Sequence, residues 1–229
     1  IGVSLGVVGM MAQVLITTGL GSKIANLVQM FSGGNLSIAL IITMFVSIIL
    51  GCGVPPAAAY SLVALVVAPT LVNMGVDKIS AHFFAFYFAI ISAVTPPVAL
   101  GALAGAGIAE ANYFKTSFHA FKLSIAGFIV PYLIIFNPIM TLRGESSATV
   151  LLTVIAVPCA ILTLSAFIYK AFLVKMNGFE RLLSFMSAIF LFLFCTLLQN
   201  NFIVFVAGIA LFVILLVGQI PKKKALIKL

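Results

Sequence analysis

Charge is what this sequence has least of: 7% of its 229 residues are Asp, Glu, Lys or Arg, against about 25% in an ordinary soluble domain. That shortage excludes a soluble globule, whose surface is built from such residues. Only three cysteines are present, an odd number, and Cys159 and Cys195 lie inside apolar runs, so a disulfide framework is excluded and all three read as thiols. Four acidic residues against twelve basic ones would point to nucleic acid in a soluble chain. Here the basic residues occupy short connections and the C-terminus, where they report orientation in a bilayer, and no nucleic-acid partner is expected. No His-Glu-x-x-His pair occurs, and no His or Asp sits mid-run to activate a nucleophile, so the chain does not read as an enzyme.

What remains is apolar. The chain is 64% hydrophobic with a mean hydropathy of +1.34, in runs of fifteen to twenty residues that recur along its length. Such runs need lipid or other helices around them, which makes this an all-α polytopic membrane protein. The first residue, Ile1, already lies within an apolar run, so the sequence reads as the downstream part of something longer.

Residues 1–18 form a span closed by Gly19 and Gly21. Residues 21–35 carry Lys23, Asn26 and Gln29 on one side and Ile24, Leu27, Val28 and Phe31 on the other, as expected of a helix lying in the interface. Residues 1–35 are thus a scaffold span with its connector. Two apolar arms, 36–50 and 57–71, flank Gly51-Cys52-Gly53-Val54-Pro55-Pro56. Each is short of the roughly 20 residues that cross about 30 Å of hydrocarbon, so 36–71 is expected to be a re-entrant hairpin with non-helical backbone at its tip.

The apolar stretch 81–109 is interrupted by Ser92-Ala93-Val94-Thr95-Pro96-Pro97, and two successive prolines should break it into half-helices. Hairpin and broken helix, 36–109, together form one half of a transport domain. Residues 110–140 read as an amphipathic interfacial helix with Phe114, Phe118 and Phe121 at helical spacing, followed by a scaffold span, 123–139, kinked at Pro131. Residues 141–229 add three transmembrane helices, at 148–168, 182–198 and 202–220, and a basic tail. Lys222, Lys223, Lys224 and Lys228 place the C-terminus in the cytoplasm, and counting back puts the Lys170, Lys175, Arg181 loop and the Lys115, Lys122 loop on the same side. The hairpin then dips in from outside.

Two broken elements separated by one short loop are the functional signal. Interrupted helices offer free N–H groups to anions at half-helix N-termini and free carbonyls to sodium at unwound turns. The candidate sodium and substrate residues are Gly51, Cys52, Gly53, Val54 and Pro55 at the tip, and Ser92, Ala93, Val94, Thr95 and Pro96 at the break. They act through backbone groups and the Ser92 and Thr95 hydroxyls. Oxygen ligands suit a hard cation, so Na+ is expected as coupling ion, with no transition-metal site and no other cofactor. Proton relays need an ionisable group inside the membrane, and no span carries one at its middle.

Plainer readings apply elsewhere. Glycine and proline can simply mark kinks. His82 and His119 read as solvated interface residues, Cys52 as an inert small side chain, Tyr60 as a packed aromatic, and Gly101, Gly105 and Gly107 as a helix-packing face. Secondary transport leads, and a channel-like or structural membrane subunit is the alternative, since broken helices also line pores.

The tip Gly51-Cys52-Gly53-Val54-Pro55-Pro56-Ala57-Ala58-Ala59-Tyr60 and the stretch Ala89-Ile90-Ile91-Ser92-Ala93-Val94-Thr95-Pro96-Pro97-Val98-Ala99-Leu100 resemble the large membrane subunit of tripartite ATP-independent periplasmic (TRAP) transporters. The likeness runs from residue 1 to 138, includes Gly33-Gly34-Asn35 and Phe128-Ile129-Val130-Pro131, and is strongest to fused permeases that work with TAXI-class binding proteins. It implies an elevator-type ion-transporter fold of two inverted repeats, of which this chain holds the second and lacks the N-terminal one. It further implies a bacterial or archaeal cytoplasmic membrane, an extracytoplasmic substrate-binding protein as partner, and a small carboxylate as substrate. One departure stands out: the family commonly has threonine after the hairpin proline, where this chain has Pro56 and Ala57. Coordination at the tip then falls to the backbone.

Overall fold

The computed structural model describes residues 2–141, 147–196 and 201–227. Ile1, the end of the 182–198 span and Lys228 lie outside them. Among the described residues the chain is helical, with one isolated bridge between Ala171 and Lys175. It divides into two compact units, residues Ile1–Ser124 and Ile125–Leu229.

In the first unit α1 (Gly2–Thr17) gives way to α2 (Leu20–Ser32) at Gly19, whose φ of 61° suits a residue without Cβ. Gly33 closes α2 in the same left-handed conformation. Asn35 then starts α3 (Leu36–Gly51), its Oδ1 accepting from the Ser37 and Ile38 amides at 2.9 and 3.3 Å. After the turn comes α4 (Pro56–Asn73), and Asp77 caps α5 (Lys78–Ile91) through the Ile79 and Ser80 amides. A 3₁₀ turn, Ser92–Val94, precedes α6 (Leu100–Ile108) and α7 (Tyr113–Ser124). Helices α3, α4 and α5 pack on one another and α2 lies against α3 and α4. Their shared core is Val28, Leu40, Val63, Val66, Leu71, Phe84 and Phe88, all essentially inaccessible.

The hairpin arms are unequal, unlike the two equal arms expected. At 1.5 Å per residue α3 is about 24 Å long, while α4 reaches about 27 Å because it continues through Pro69 to Asn73. Pro69 sits near the C-terminal end of α4, where it interrupts the ladder with little helix left to lose. α4 is therefore long and apolar enough to cross a membrane, whereas α3 belongs with the shorter apolar helices.

Helical turns also run from Tyr113 to Phe136, where the sequence reads as an interfacial helix followed by a separate span. The second unit begins in this stretch with a 3₁₀ turn, Ile125–Ile129, ahead of Pro131, and α8 (Val130–Phe136). α9 (Ser147–Tyr169), α10 (Gly178–Thr196) and α11 (Phe202–Ile227) follow, and α10 packs against both of its neighbours. α10 starts four residues earlier than the 182 expected, because Glu180 reaches back to accept from the Asn177 amide at 2.9 Å. α11 runs on through Pro221 into what reads as the basic tail. The core is Leu133, Ala156, Val157, Ala160, Leu191, Phe194, Cys195 and Phe205. Among the described residues five segments are long and apolar enough to span a membrane, so the all-α polytopic class holds.

Candidate functional site

The hairpin turn follows from local chemistry. Cys52 is extended at φ −61° and ψ 127°, Gly53 is left-handed at φ 76°, and the Val54 amide donates to the Gly51 carbonyl at 3.3 Å. That is a type II turn, which needs glycine at its third position. Pro55 and Pro56 then begin α4, Pro56 occupying the first turn where its missing N–H costs nothing.

In the partner element α5 tightens into the 3₁₀ turn at Ser92, Thr95 is extended, the Pro96–Pro97 peptide is cis, and Ala99 is left-handed at φ 34° before α6 resumes. The break therefore reaches Ala99, further than the 92–97 expected from sequence.

The fold brings the two interruptions together. A Cβ at Gly51 would lie 2.5 Å from Ser92 Oγ, 3.0 Å from Ser92 Cβ and 3.1 Å from the Ala89 carbonyl oxygen, so only glycine permits this approach. Beside it a Cβ at Gly53 would stand 3.5 Å from Val98 Cγ1, and the Cys52 thiol faces the Val98 backbone. Gly101 in the first turn of α6 also comes close to the break, its Cβ position lying 3.2 Å from the Ala93 carbonyl oxygen.

Ser92 and Thr95 are buried, at 1% and 7% exposure. Ser92 Oγ donates to the Ala89 carbonyl at 2.6 Å and Thr95 Oγ1 to the Ile91 carbonyl at 2.8 Å. Each hydroxyl has used its proton on its own helix and keeps oxygen lone pairs for a cation or donor. α4 and α6 both start without a side-chain cap, which leaves the positive ends of two helix dipoles at the paired interruptions. Of the expected residues, Gly51 thus lies against Ser92, and Cys52 and Gly53 lie against Val98 just past the break, while Val54 and Pro55 and Ala93 to Pro96 follow these along the chain.

Sequence reasoning missed Tyr113. Its hydroxyl lies 2.6 Å from the Pro97 carbonyl oxygen and 2.8 Å from that of Val98, tying the start of α7 to the break. Nothing in the local sequence marks a tyrosine for a carbonyl fifteen residues away.

The plainer candidates divide. His119 is exposed, as expected, but His82 is not a lone interface residue: its Nδ1 lies 3.2 Å from the Tyr60 hydroxyl. Tyr60 also packs edge-on to Phe86 at 5.3 Å, and with Lys78, Ile79 and Phe83 these residues line an open groove of about 420 Å³. Gly105 and Gly107 face open space rather than a packed helix.

Set beside known protein families, residues 1–149 match the model of the Tripartite ATP-independent periplasmic transporter, DctM component. The chain belongs to that family. No curated protein and no solved structure gives a match. The match takes in both interrupted elements and stops just inside α9, leaving most of α9 and all of α10 and α11 outside it. DctM is an inner-membrane permease, a secondary transporter component rather than an enzyme, and the family normally works with an extracytoplasmic substrate-binding protein. For this DctM-family chain, the channel-like alternative gives way to transport.

Proposed function

We propose that this chain contributes the second inverted repeat of a sodium-coupled TRAP permease that imports a small organic carboxylate handed over by its binding protein. The residues at 36–109 move as part of an elevator against a scaffold that includes 1–35 and 110–140, and 141–229 is the extension of a TAXI-type fused permease with a cytoplasmic C-terminus. The observation that carries this reading is the contact between Gly51 and Ser92, which joins two helix interruptions in one place. Sodium is held by carbonyls of the tip and of residues Ser92 to Val94, with the lone pairs of Thr95 and Ser92 completing the shell. The uncapped N-termini of α4 and α6 face the substrate carboxylate, where oriented N–H groups favour negative charge.

The test is uptake into proteoliposomes holding the full-length permease with its binding protein, driven by an inward sodium gradient and screened over radiolabelled carboxylates. Uptake that needs sodium and is not supported by potassium is the expected result. Uptake indifferent to the cation, or sodium current without solute, contradicts it.

A further inference from the structure

One residue links the hairpin tip, the break and α7. Val98 presents its carbonyl to the Tyr113 hydroxyl at 2.8 Å, its backbone to the Cys52 thiol and its side chain to Gly53, while remaining 37% exposed. It has no regular helical turn to hold it, because it lies between the Pro96–Pro97 peptide and left-handed Ala99. The hydrogen bonds of Tyr113 to the Val98 and Pro97 carbonyls come instead from α7, beyond α6. A phenol has a single proton, so it is shared between the two acceptors and fixes both at once.

We propose that Tyr113 is a positioning residue that latches the hairpin tip against the break, acting through Val98 from α7. It touches neither ion nor substrate. With the latch made, Val98 stays over Gly53 and Cys52 and the tip stays shut. With the latch broken, Val98 swings free and the turn at 51–54 opens. The sodium-dependent part of the consequence rests on the transport reading above, but the latch itself does not.

The probe is alkylation of Cys52 by N-ethylmaleimide in membranes containing the full-length permease, every other cysteine replaced by alanine, with no sodium present. Tyr113→Phe keeps the ring and removes the proton. It should label Cys52 about tenfold faster, the change expected for losing one hydrogen bond of ordinary strength. In uptake, Tyr113→Phe should raise the sodium concentration needed for half-maximal rate and leave the maximal rate alone, a split that a folding defect does not produce.

If Tyr113→Phe does not reach the membrane folded, 3-fluorotyrosine at position 113 alone decides. Fluorine makes the phenol a stronger donor, so labelling should slow. Wild-type labelling rates in the folded variant overturn the latch. Faster labelling in Tyr113→Phe, together with an absence of any sodium effect on either protein, keeps the latch and counts against sodium coupling instead.

Discussion

The two units solve the same packing problem in different ways. In the first, the buried hydroxyls of Thr43, Ser47, Thr70, Ser92 and Thr95 each donate to a carbonyl of their own helical segment, three or four residues back. In the second, Thr163 does the same, but three other buried polar groups bond across helices: Ser184 to the Thr163 carbonyl at 2.6 Å, Ser187 to the Gly208 carbonyl at 2.8 Å, and Asn137 to the Cys195 carbonyl at 2.9 Å. Directional bonds pin α9, α10 and α11 in register. In α3, α4 and α5 the part-buried Tyr60–His82 pair joins α4 to α5, but the hydroxyls of Thr43, Ser47 and Thr70 bond within their own helices, and the rest of the interface is apolar contact and close backbone approach, which two surfaces can leave and remake. A transporter needs both kinds of unit, one that can rearrange and one that keeps its shape.

Two glycines make the comparison breakable. Alanine at Gly51 would drive its Cβ into Ser92 and the Ala89 carbonyl, where backbone cannot yield. Sodium-driven uptake by Gly51→Ala should fall on the order of a hundredfold, the equivalent of about 3 kcal/mol, while the protein still reaches the membrane. Gly208→Ala meets Leu191 side-chain atoms at 2.7 Å instead, together with its backbone nitrogen at 3.3 Å. It should lower the melting temperature, at about 1–3 kcal/mol, and leave uptake per folded molecule unchanged. Uptake losses of equal size from both variants would erase the distinction between the units.

Thr95 sharpens the same comparison at smaller scale. Thr95→Val removes the oxygen but keeps the shape, and should raise the half-saturating sodium concentration about tenfold. Thr95→Ser keeps the oxygen and should stay near wild type. The smallest effect is expected in the second unit at Glu180, whose carboxylate lies 2.8 Å from a Lys222 amine that is 40% exposed. Glu180→Gln should cost less than about 1 kcal/mol in a thermal melt and change transport not at all.

How much of this was legible in the sequence depended on range. Both interruptions could be placed from Gly53, Pro55, Pro56, Pro96 and Pro97 alone, because glycine and proline act on the backbone within a few residues of themselves. Proline misled where its neighbours overruled it: the last span, expected to end at residue 220, passes through Pro221 as α11 without ending. What no local rule could supply was the juxtaposition. That Gly51 rests on Ser92, that Tyr113 reaches back to Val98 and that His82 pairs with Tyr60 are consequences of how helices pack. The family match, over residues 1–149, covers both interruptions.

Cys52 offers the most direct test of the central claim, that tip and break act as one sodium-responsive unit. Its alkylation rate in the full-length permease, compared in sodium and in potassium at equal ionic strength, should fall when sodium draws the tip onto the break. An equal rate in the two cations, at concentrations that saturate uptake, would contradict it.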